Sequence, residues 1–206
     1  MTNTSFIHCR IFNGFSLTEN SNVFFINSLV DNPLSQSASS NIEFDNCFIK
    51  FSEPTYNGYA ISRAYWVVNS YYKNCIIQAI FDDSNGEIPS SCTAYNCVGL
   101  GYNRIFNNMI SSNSTNKYVE DITSLFKTYK ETGRNSFISD VYNFELTETA
   151  VATYLGNDGT QVGIYGGNLP YDENPTIPQI TKCNVASKST ADGKLSVDIE
   201  VKAAEY

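Results

Sequence analysis

The sequence predicts an all-β solenoid of stacked coils, with one short helix and a C-terminal β-hairpin. A repeat in the first half, an alternating apolar pattern within each copy and the composition together indicate this class. The chain has 24 Asn and 23 Ser but only 9 Leu, and 14% of its residues are aromatic. Such a chain is too aromatic to be disordered and too poor in Leu to form a helical bundle.

The charge of the chain excludes some classes of partner. Lys and Arg total 13 and Asp and Glu total 21, so the net charge is −8. A phosphate backbone or an anionic membrane surface would be repelled over most of the surface, and we therefore expect no nucleic-acid partner. No apolar run approaches the ~20 residues of a transmembrane helix, and the first residues lack the pattern of a signal peptide.

The repeat is centred on a column of Cys or Ser residues. Its consensus is an aromatic residue, any residue, Asn, Cys, any residue and a β-branched residue. The anchor positions are separated by 19, 19, 28 and 22 residues, and they are Cys9, Ser28, Cys47, Cys75 and Cys97. A period near 22 residues predicts one coil of a solenoid per copy, with like residues stacked on each other.

The phase of the apolar residues predicts two strands in each coil. Ile42 and Phe44 alternate as the inward face of a strand does, and Cys47 and Ile49 alternate one residue out of step. The chain must therefore bend between the two pairs, where Asn46 stands. Asn is the non-glycine residue that most readily adopts a left-handed backbone, so two short strands joined by an Asn bend are predicted.

These columns resemble those of the right-handed, single-stranded parallel β-helix of the pectate-lyase-like superfamily, in which an Asn ladder lies at a tight turn. The ladder column here is His8, Asn27, Asn46, Asn74 and Asn96. Residues 144–168 resemble the closing coil of bacterial secreted β-helix proteins. The resemblance implies the C-terminal part of a bacterial protein that is secreted or exposed at the cell surface. Leucine-rich repeats are the rival, which the scarcity of Leu and the missing helix pattern disfavour.

The remaining elements complete a prediction of two regions. Residues 1–168 form the β-helix, including a helical insertion near 114–133 and the closing coil near 144–168. The helix is predicted because Tyr118, Ile122 and Leu125 have helical spacing. Residues 169–206 form a Pro-containing linker and a hairpin tail, in which residues 195–202 alternate and residues 180–185 are the partner strand.

The cysteines of the repeat column, Cys9, Cys47, Cys75 and Cys97, are predicted to be free, although six cysteines in the chain would allow three disulfides. A small loop closed by Cys92 and Cys97 is the alternative, and Cys183 has no evident partner. Side chains stacked in one column point the same way, which is unfavourable for disulfide geometry. Ser28 occupies the same column and would leave a bridging Cys without a partner. Zinc is not expected, because no Cys-x-x-Cys pair is present and His8 is the single histidine.

The long interval between Cys47 and Cys75 carries the candidate binding residues. Aromatic faces suit the C–H faces of sugar rings, and a guanidinium suits their hydroxyl groups. The predicted substrate-binding residues are Tyr56, Tyr59, Arg63, Tyr65 and Trp66. The competing interpretation is that residues 65–68 are an inward-facing strand.

No set of catalytic residues is assigned. His8 lies in the ladder column, where a turn-filling role is expected rather than that of a general base. The sequence therefore favours a non-catalytic, secreted or cell-surface module that binds glycan or another surface component, without cofactor or metal. A homo-oligomer is expected through the open end of the β-helix or through the C-terminal tail.

Two alternatives remain open. The first is a polysaccharide lyase or glycoside hydrolase acting on acidic polysaccharide. Calcium enters only under this lyase alternative, and its nearest carboxylates are Asp82, Asp83 and Glu87, with Arg63, Lys73 and Arg104 as nearby bases. The second alternative is a purely structural or assembly module.

Overall fold

The computed structural model is a parallel β-solenoid followed by a β-hairpin. It describes residues 2–11, 15–17, 21–31, 33–35, 41–51, 55–56, 59–60, 69–79, 91–101, 105–106, 115–128, 143–172, 179–185, 188–189 and 192–202. The chain divides into two compact units, Met1–Tyr171 and Asp172–Tyr206. Within the described residues no helix has both the length and the apolar character that crossing a bilayer requires.

Two parallel sheets form the solenoid. Each of the first five coils adds one strand to both sheets, and a sixth coil adds a strand to the second sheet. The first sheet has the spatial order β1 (Thr2–Ile7), β4 (Ser21–Ile26), β7 (Asn41–Asp45), β11 (Ser70–Lys73) and β13 (Thr93–Tyr95). The second sheet has the order β2 (Arg10–Ile11), β5 (Leu29–Asp31), β8 (Phe48–Phe51), β12 (Ile76–Ala79), β14 (Val98–Leu100) and β15 (Lys117–Val119). The predicted parallel solenoid is therefore confirmed.

Short strand pairs lie between these coils. Strand β3 (Phe15–Leu17) pairs in parallel with β6 (Pro33–Ser35). Strand β9 (Thr55–Tyr56) pairs with β10 (Tyr59–Ala60) in an antiparallel hairpin inside the longest interval of the repeat. That interval is longer because it carries this extra pair.

The corner between the two strands of each coil is a single residue with a left-handed backbone. The φ angles are 53° for His8, 46° for Asn27, 51° for Asn46, 53° for Asn74 and 52° for Asn96. A positive φ reverses the side-chain phase, which explains why the apolar pattern slips by one residue at this point. The prediction that the Asn column forms the bend is confirmed.

The inner core of the solenoid is built from stacked columns. The Phe25 ring lies 5.1 Å from that of Phe6 and 5.0 Å from that of Phe44, and Phe44 lies 5.1 Å from Tyr72. Their ring planes differ by at most 13°. The rings stack because the strand pairing places Phe6, Phe25, Phe44 and Tyr72 side by side.

The thiol column fills the same core next to the bend. Cys47 donates from Sγ to the Phe25 carbonyl oxygen at 3.3 Å, and Cys75 does so to that of Phe44 at 3.3 Å. All six cysteines of the chain are free thiols, which confirms the prediction for the repeat column and shows that Cys92 and Cys97 are not bridged. Burial raises the pKa of the Cys47 and Cys97 thiols, so they behave as small apolar groups with a weak donor.

A further coil follows the five that the repeat predicts, and it replaces the predicted helix. The helical insertion expected near 114–133 is wrong over residues 117–128, where the chain forms β15, a 3₁₀ turn (Ile122–Ser124) and β16 (Phe126–Thr128). Asp121 begins the turn by accepting from the backbone N–H of Thr123. Although Ile122 and Leu125 have helical spacing, the chain turns at Ile122–Ser124, and Leu125 and Phe126 join Val119 in an outer core.

This outer core covers the outward face of the second sheet. In the middle coils the residue after each anchor points outward, yet it is buried: Leu29, Phe48, Ile76 and Val98 are at most 2% exposed. They are covered by β16, by β17 (Asn143–Leu146) and by the helix α1 (Glu148–Thr153). We call these elements, together with the segment that follows α1, the cover. Strands β16 and β17 pair antiparallel. Thr147 begins α1 by accepting from the N–H of Ala150 at 3.2 Å.

Residues 154–171, which we call the strap, run along the Asn corner instead of forming the predicted closing coil. Gly163 donates its N–H to the Asn74 carbonyl at 2.8 Å, while Asn27 donates to the Gly166 carbonyl at 2.7 Å. The His8 ring nitrogen Nε2 lies 2.8 Å from the Leu169 carbonyl oxygen. A coil would pair with one neighbouring coil, whereas the strap contacts successive coils. The closing-coil prediction near 144–168 is therefore wrong, and those residues are part of the cover.

The second unit contains an antiparallel hairpin of β18 (Gln179–Val185) and β19 (Val197–Lys202), as predicted. Lys182 pairs with Asp198 at 2.8 Å and with Glu200 at 3.1 Å on one face. On the other face Val185 pairs with Val197 and Cys183 with Ile199. Val197, Ile199 and Val201 are about half exposed within the structure, at 51%, 50% and 55%.

Candidate functional site

The aromatic residues predicted to bind substrate are described only in part. Tyr56 and Tyr59 are paired to each other across the β9–β10 hairpin. The placement of their side chains, and of Arg63, Tyr65 and Trp66, lies outside what the structure describes. Their binding role stays a prediction.

The lyase alternative also falls largely on residues outside the described ranges. Asp82, Asp83, Glu87, Arg63 and Arg104 lie there. Within the described ranges no group of three or more His, Cys, Asp or Glu side chains is placed to hold a metal ion.

The outer face of the first sheet is the candidate site. Strand β7 alternates between buried Ile42 and Phe44 and outward Asn41, Glu43 and Asp45. The second sheet differs, because its strands β5 and β8 are buried at every residue. The elements that bury the second sheet pack on the outer core of that sheet. The outer face of the first sheet carries partly exposed and exposed residues instead. The partly exposed ones are Phe24, Glu43, Asp45, Lys73, Thr93 and Tyr95, and the exposed ones are Asn41, Asn69 and Tyr71.

One side of this face carries a ladder of side-chain amides. Asn22 donates from Nδ2 to Oδ1 of Asn3 at 2.9 Å, and Asn41 donates from Nδ2 to Oδ1 of Asn22 at 3.2 Å. The amides align because strand pairing places Asn3 beside Asn22 and Asn22 beside Asn41. Each amide thus has a fixed orientation, with donor and acceptor groups repeating at the spacing of the strands.

The other side carries two tyrosine rings. Tyr71 and Tyr95 have ring centroids 5.5 Å apart with an interplanar angle of 37°, and 39% of the surface of Tyr71 is exposed. Partial burial, followed by the neighbouring Tyr95 and Glu43, raises the pKa of the Tyr71 hydroxyl. The Tyr71 phenol therefore stays protonated at neutral pH and can donate a hydrogen bond.

An ion pair lies between the tyrosines and the bend. Lys73 Nζ contacts Asp45 Oδ2 at 2.9 Å, and their side chains are 31% and 25% exposed. The hydrogen bond to Asp45 raises the pKa of Lys73, and the nearby Glu43 carboxylate adds to this effect. With two carboxylates and one ammonium, this part of the face carries a formal charge of −1.

A shallow groove of about 520 Å³ lies on this face. Its lining runs across the strands and includes Phe24, Asn41, Glu43, Asn69, Tyr71, Lys73, Ser91 and Thr93. The sequence analysis missed this site because the outward positions of the repeat carry no shared residue type. The signal that could have indicated this site is that Tyr71, Lys73 and Tyr95 occupy those variable outward positions in the fourth and fifth coils.

A second charged group lies on the second sheet but is not a surface site. Asp31 and Lys50 are neighbours on adjacent strands and are at most 2% exposed. Burial lowers the pKa of Lys50, and the Asp31 carboxylate opposes that shift. Because both lie on the covered face, the pair belongs to the outer core.

Comparison of the chain with protein-family models, curated proteins and solved structures finds no match. The argument for function therefore rests on the geometry of the coils and of this outer face.

Proposed function

We propose that the protein binds glycan, without catalysis, through the outer face of the first sheet. The observation that carries this proposal is the groove lined by Asn41, Tyr71 and Lys73. Each of these residues is held by a neighbour on the same face of the sheet, Asn41 by the amide ladder, Tyr71 by the Tyr95 ring and Lys73 by Asp45. A secreted or cell-surface location, as part of a bacterial β-helix protein of the pectate-lyase-like type, belongs to the same proposal and rests on the resemblance of the repeat.

Sugar rings match this face chemically. Their C–H faces pack on aromatic rings, and Tyr71 presents an exposed ring held in place by Tyr95. Their hydroxyl groups need both donors and acceptors, which ordered amides supply in pairs. A groove that crosses the strands suits an extended oligosaccharide, since successive coils repeat the same backbone at about 4.8 Å.

The charge of the groove favours neutral or amino sugars over uronates. Glu43 lines the groove, Lys73 is already paired with Asp45 beside it, and the whole chain carries −8. A polyuronate would be repelled both locally and at long range. This charge balance weighs against a lyase acting on acidic polysaccharide.

A glycoside hydrolase is the second candidate, and one observation favours it. Glu43 and Asp45 lie two residues apart on the same face of β7, a Cα separation of about 6.6 Å. Inverting hydrolases need two carboxyl groups that face one cleft, and these two side chains share a face. Against this role, Asp45 is held by Lys73 at 2.9 Å.

Binding is tested by titrating the protein with neutral, amino-bearing and uronate oligosaccharides in a calorimeter. We expect neutral or amino-bearing oligosaccharides to bind and Tyr71→Ala to weaken that binding about tenfold, because a stacked ring contributes roughly 1 kcal/mol or more. Tyr71→Phe keeps the ring and should retain most of the affinity. Lys127→Ala, at an exposed position on the cover, is the matched control. Equal affinity in the Tyr71→Ala variant would remove this face from the proposal.

Turnover is tested on the same oligosaccharides by measuring reducing ends. We expect none above background for the wild-type protein. Release of reducing ends that is lost in Glu43→Gln would establish the hydrolase instead. Binding of uronates with ultraviolet-absorbing products would establish the lyase.

A further inference from the structure

A second cavity, of about 500 Å³, lies among the elements of the cover, and we call it the cover cavity. Its lining comes from β16, β17, α1 and the strap, which all belong to the first compact unit. Cavities of roughly 300–1,000 Å³ are typical of sites for small organic molecules. The cover cavity shares no lining residue with the groove on the first sheet, so it is a separate site.

Part of the lining of the cover cavity is apolar. Leu146 of β17, Val151 of α1 and Tyr165 of the strap contribute to it. Leu146 belongs to the outer core and is 1% exposed, whereas Val151 and Tyr165 pack against that core and stay partly exposed. An aliphatic chain or an aromatic ring that enters the cavity would therefore remove apolar surface from water.

The elements around the cover cavity are tied together by backbone hydrogen bonds. The N–H of Thr147, which lies between β17 and α1, donates to the Leu125 carbonyl at 2.9 Å. Within the strap, the N–H of Val162 donates to the Tyr154 carbonyl at 3.2 Å. Because these elements are already ordered, a ligand would bind without the free-energy cost of ordering them.

The charged part of the lining has an excess of negative charge. Lys127 of β16 and Glu145 of β17 form an ion pair with each other, so their formal charges cancel. Glu148, which is exposed at the start of α1, adds a second carboxylate to the lining. With two carboxylates and one ammonium, the cover cavity carries a formal charge of −1. The chain as a whole carries −8, which attracts cations and repels anions at long range.

Gln161 of the strap is the neutral polar member of the lining, and it is partly exposed. A side-chain amide offers an oxygen that accepts hydrogen bonds, and a carboxylate such as that of Glu148 offers acceptors only. An ammonium group carries three N–H donors and no acceptor, so it matches this pair of residues. An anionic ligand would instead meet a like charge.

We propose that the cover cavity binds a small amine, with the apolar body of the ligand against Leu146, Val151 and Tyr165 and its ammonium group beside Glu148 and Gln161. The apolar body is selected by burial of apolar surface, and the ammonium group by the charge of the lining. This site is independent of the glycan groove, because the two have no residue in common. Loss of one function therefore leaves the other in place.

The ligand class is tested by nuclear magnetic resonance on the isotope-labelled full chain. The probes are phenethylamine, its neutral isostere phenethyl alcohol and the anion phenylacetate. We expect phenethylamine to shift the backbone amide signals of Glu148, Val151 and Tyr165 and to bind about threefold more tightly than the alcohol, because an exposed charge pair changes affinity by a few fold. Phenylacetate should bind most weakly. Equal affinity of the amine and the alcohol, or shifts confined to residues outside the cover cavity, would overturn the proposal.

Two substitutions change the charge of the lining in opposite directions at nearly constant volume. Glu148→Gln should weaken the binding of phenethylamine about threefold, and Gln161→Glu should strengthen it about threefold. Glu120→Gln is the matched control, because it makes the same change in net charge at an exposed position outside the lining and should leave the affinity unchanged. Binding of phenethyl alcohol should be the same in all three variants, which separates an effect of charge from a change of shape. If one cavity variant fails to fold, the other still decides the question, since an unchanged affinity for the amine would overturn the proposal.

Discussion

Replacing Asn27 by glycine and by alanine separates the two contributions that this residue makes to stability. Both variants lose the two hydrogen bonds that Asn27 Nδ2 donates to Ile164 O at 2.8 Å and to Gly166 O at 2.7 Å. That loss costs about 2 kcal/mol, at roughly 1 kcal/mol per bond. The variants then differ in the backbone, because Asn27 has a φ of 46°.

The backbone difference reverses the usual order of the two variants. In an extended strand glycine is less stable than alanine by about 0.5–1 kcal/mol, because the unfolded chain gains freedom. A left-handed backbone raises the free energy of the folded alanine variant by roughly 1–2 kcal/mol, whereas glycine adopts it without this strain. At position 27 the glycine variant should therefore be the more stable one, by about 0.5–1 kcal/mol.

Asn41 is the matched control, because it is an exposed residue of β7 with no positive φ. There alanine should be the more stable variant. The assay is urea unfolding followed by far-ultraviolet circular dichroism, with linear extrapolation. The difference between the two sites should be about 1–2 kcal/mol, since the chain-entropy term cancels. Alanine being the more stable variant at both sites would refute the reasoning.

Three further outcomes follow from the packing. Gly99→Ala should destabilise the protein by about 1–3 kcal/mol in urea unfolding, because the new methyl group overlaps a packed isoleucine. Lys50→Met should cost about 3–5 kcal/mol, and adding Asp31→Leu should recover most of it, because the pair is buried together. Since burial raises the pKa of Cys47 and Cys97, the contribution of these two thiols to stability should be complete below their ordinary pKa of 9.0 and be lost as the pH rises above it; a flat profile between pH 9 and pH 10 would contradict this.

The repeated part of the fold was predictable and the unrepeated part was not. Each stacked coil places its residues in the same environment as the coil before it, so equivalent positions carry similar residues. The columns of Phe25 and Cys47 and the bend at Asn46 could therefore be predicted from the sequence repeat. The cover over the second sheet occurs once and offers no such signal. Its existence was nevertheless indicated by Phe48 and Ile76, apolar residues at an outward position where a solvated sheet would carry polar ones.

The candidate site was hard to predict for a related reason. Residues on the outer face of the first sheet face solvent, so packing imposes no common residue type on them, and only the register of strands brings Tyr71 beside Glu43. The predicted helix failed because Ile122 and Leu125 follow helical spacing while the chain turns between two sheets. Periodicity alone does not distinguish these cases.

The strap fixes how many coils lie between those of His8 and Asn74. It is anchored to the coil of Asn74 at one end and to that of His8 at the other, so its length matches the distance between those coils. Internal duplication of a coil would move the anchors apart by about 4.8 Å, and deletion would leave slack. Solenoids elsewhere lengthen or shorten by whole units during evolution. In this molecule, adding or removing a coil between the two anchors would break hydrogen bonds of the strap unless the strap itself became longer or shorter.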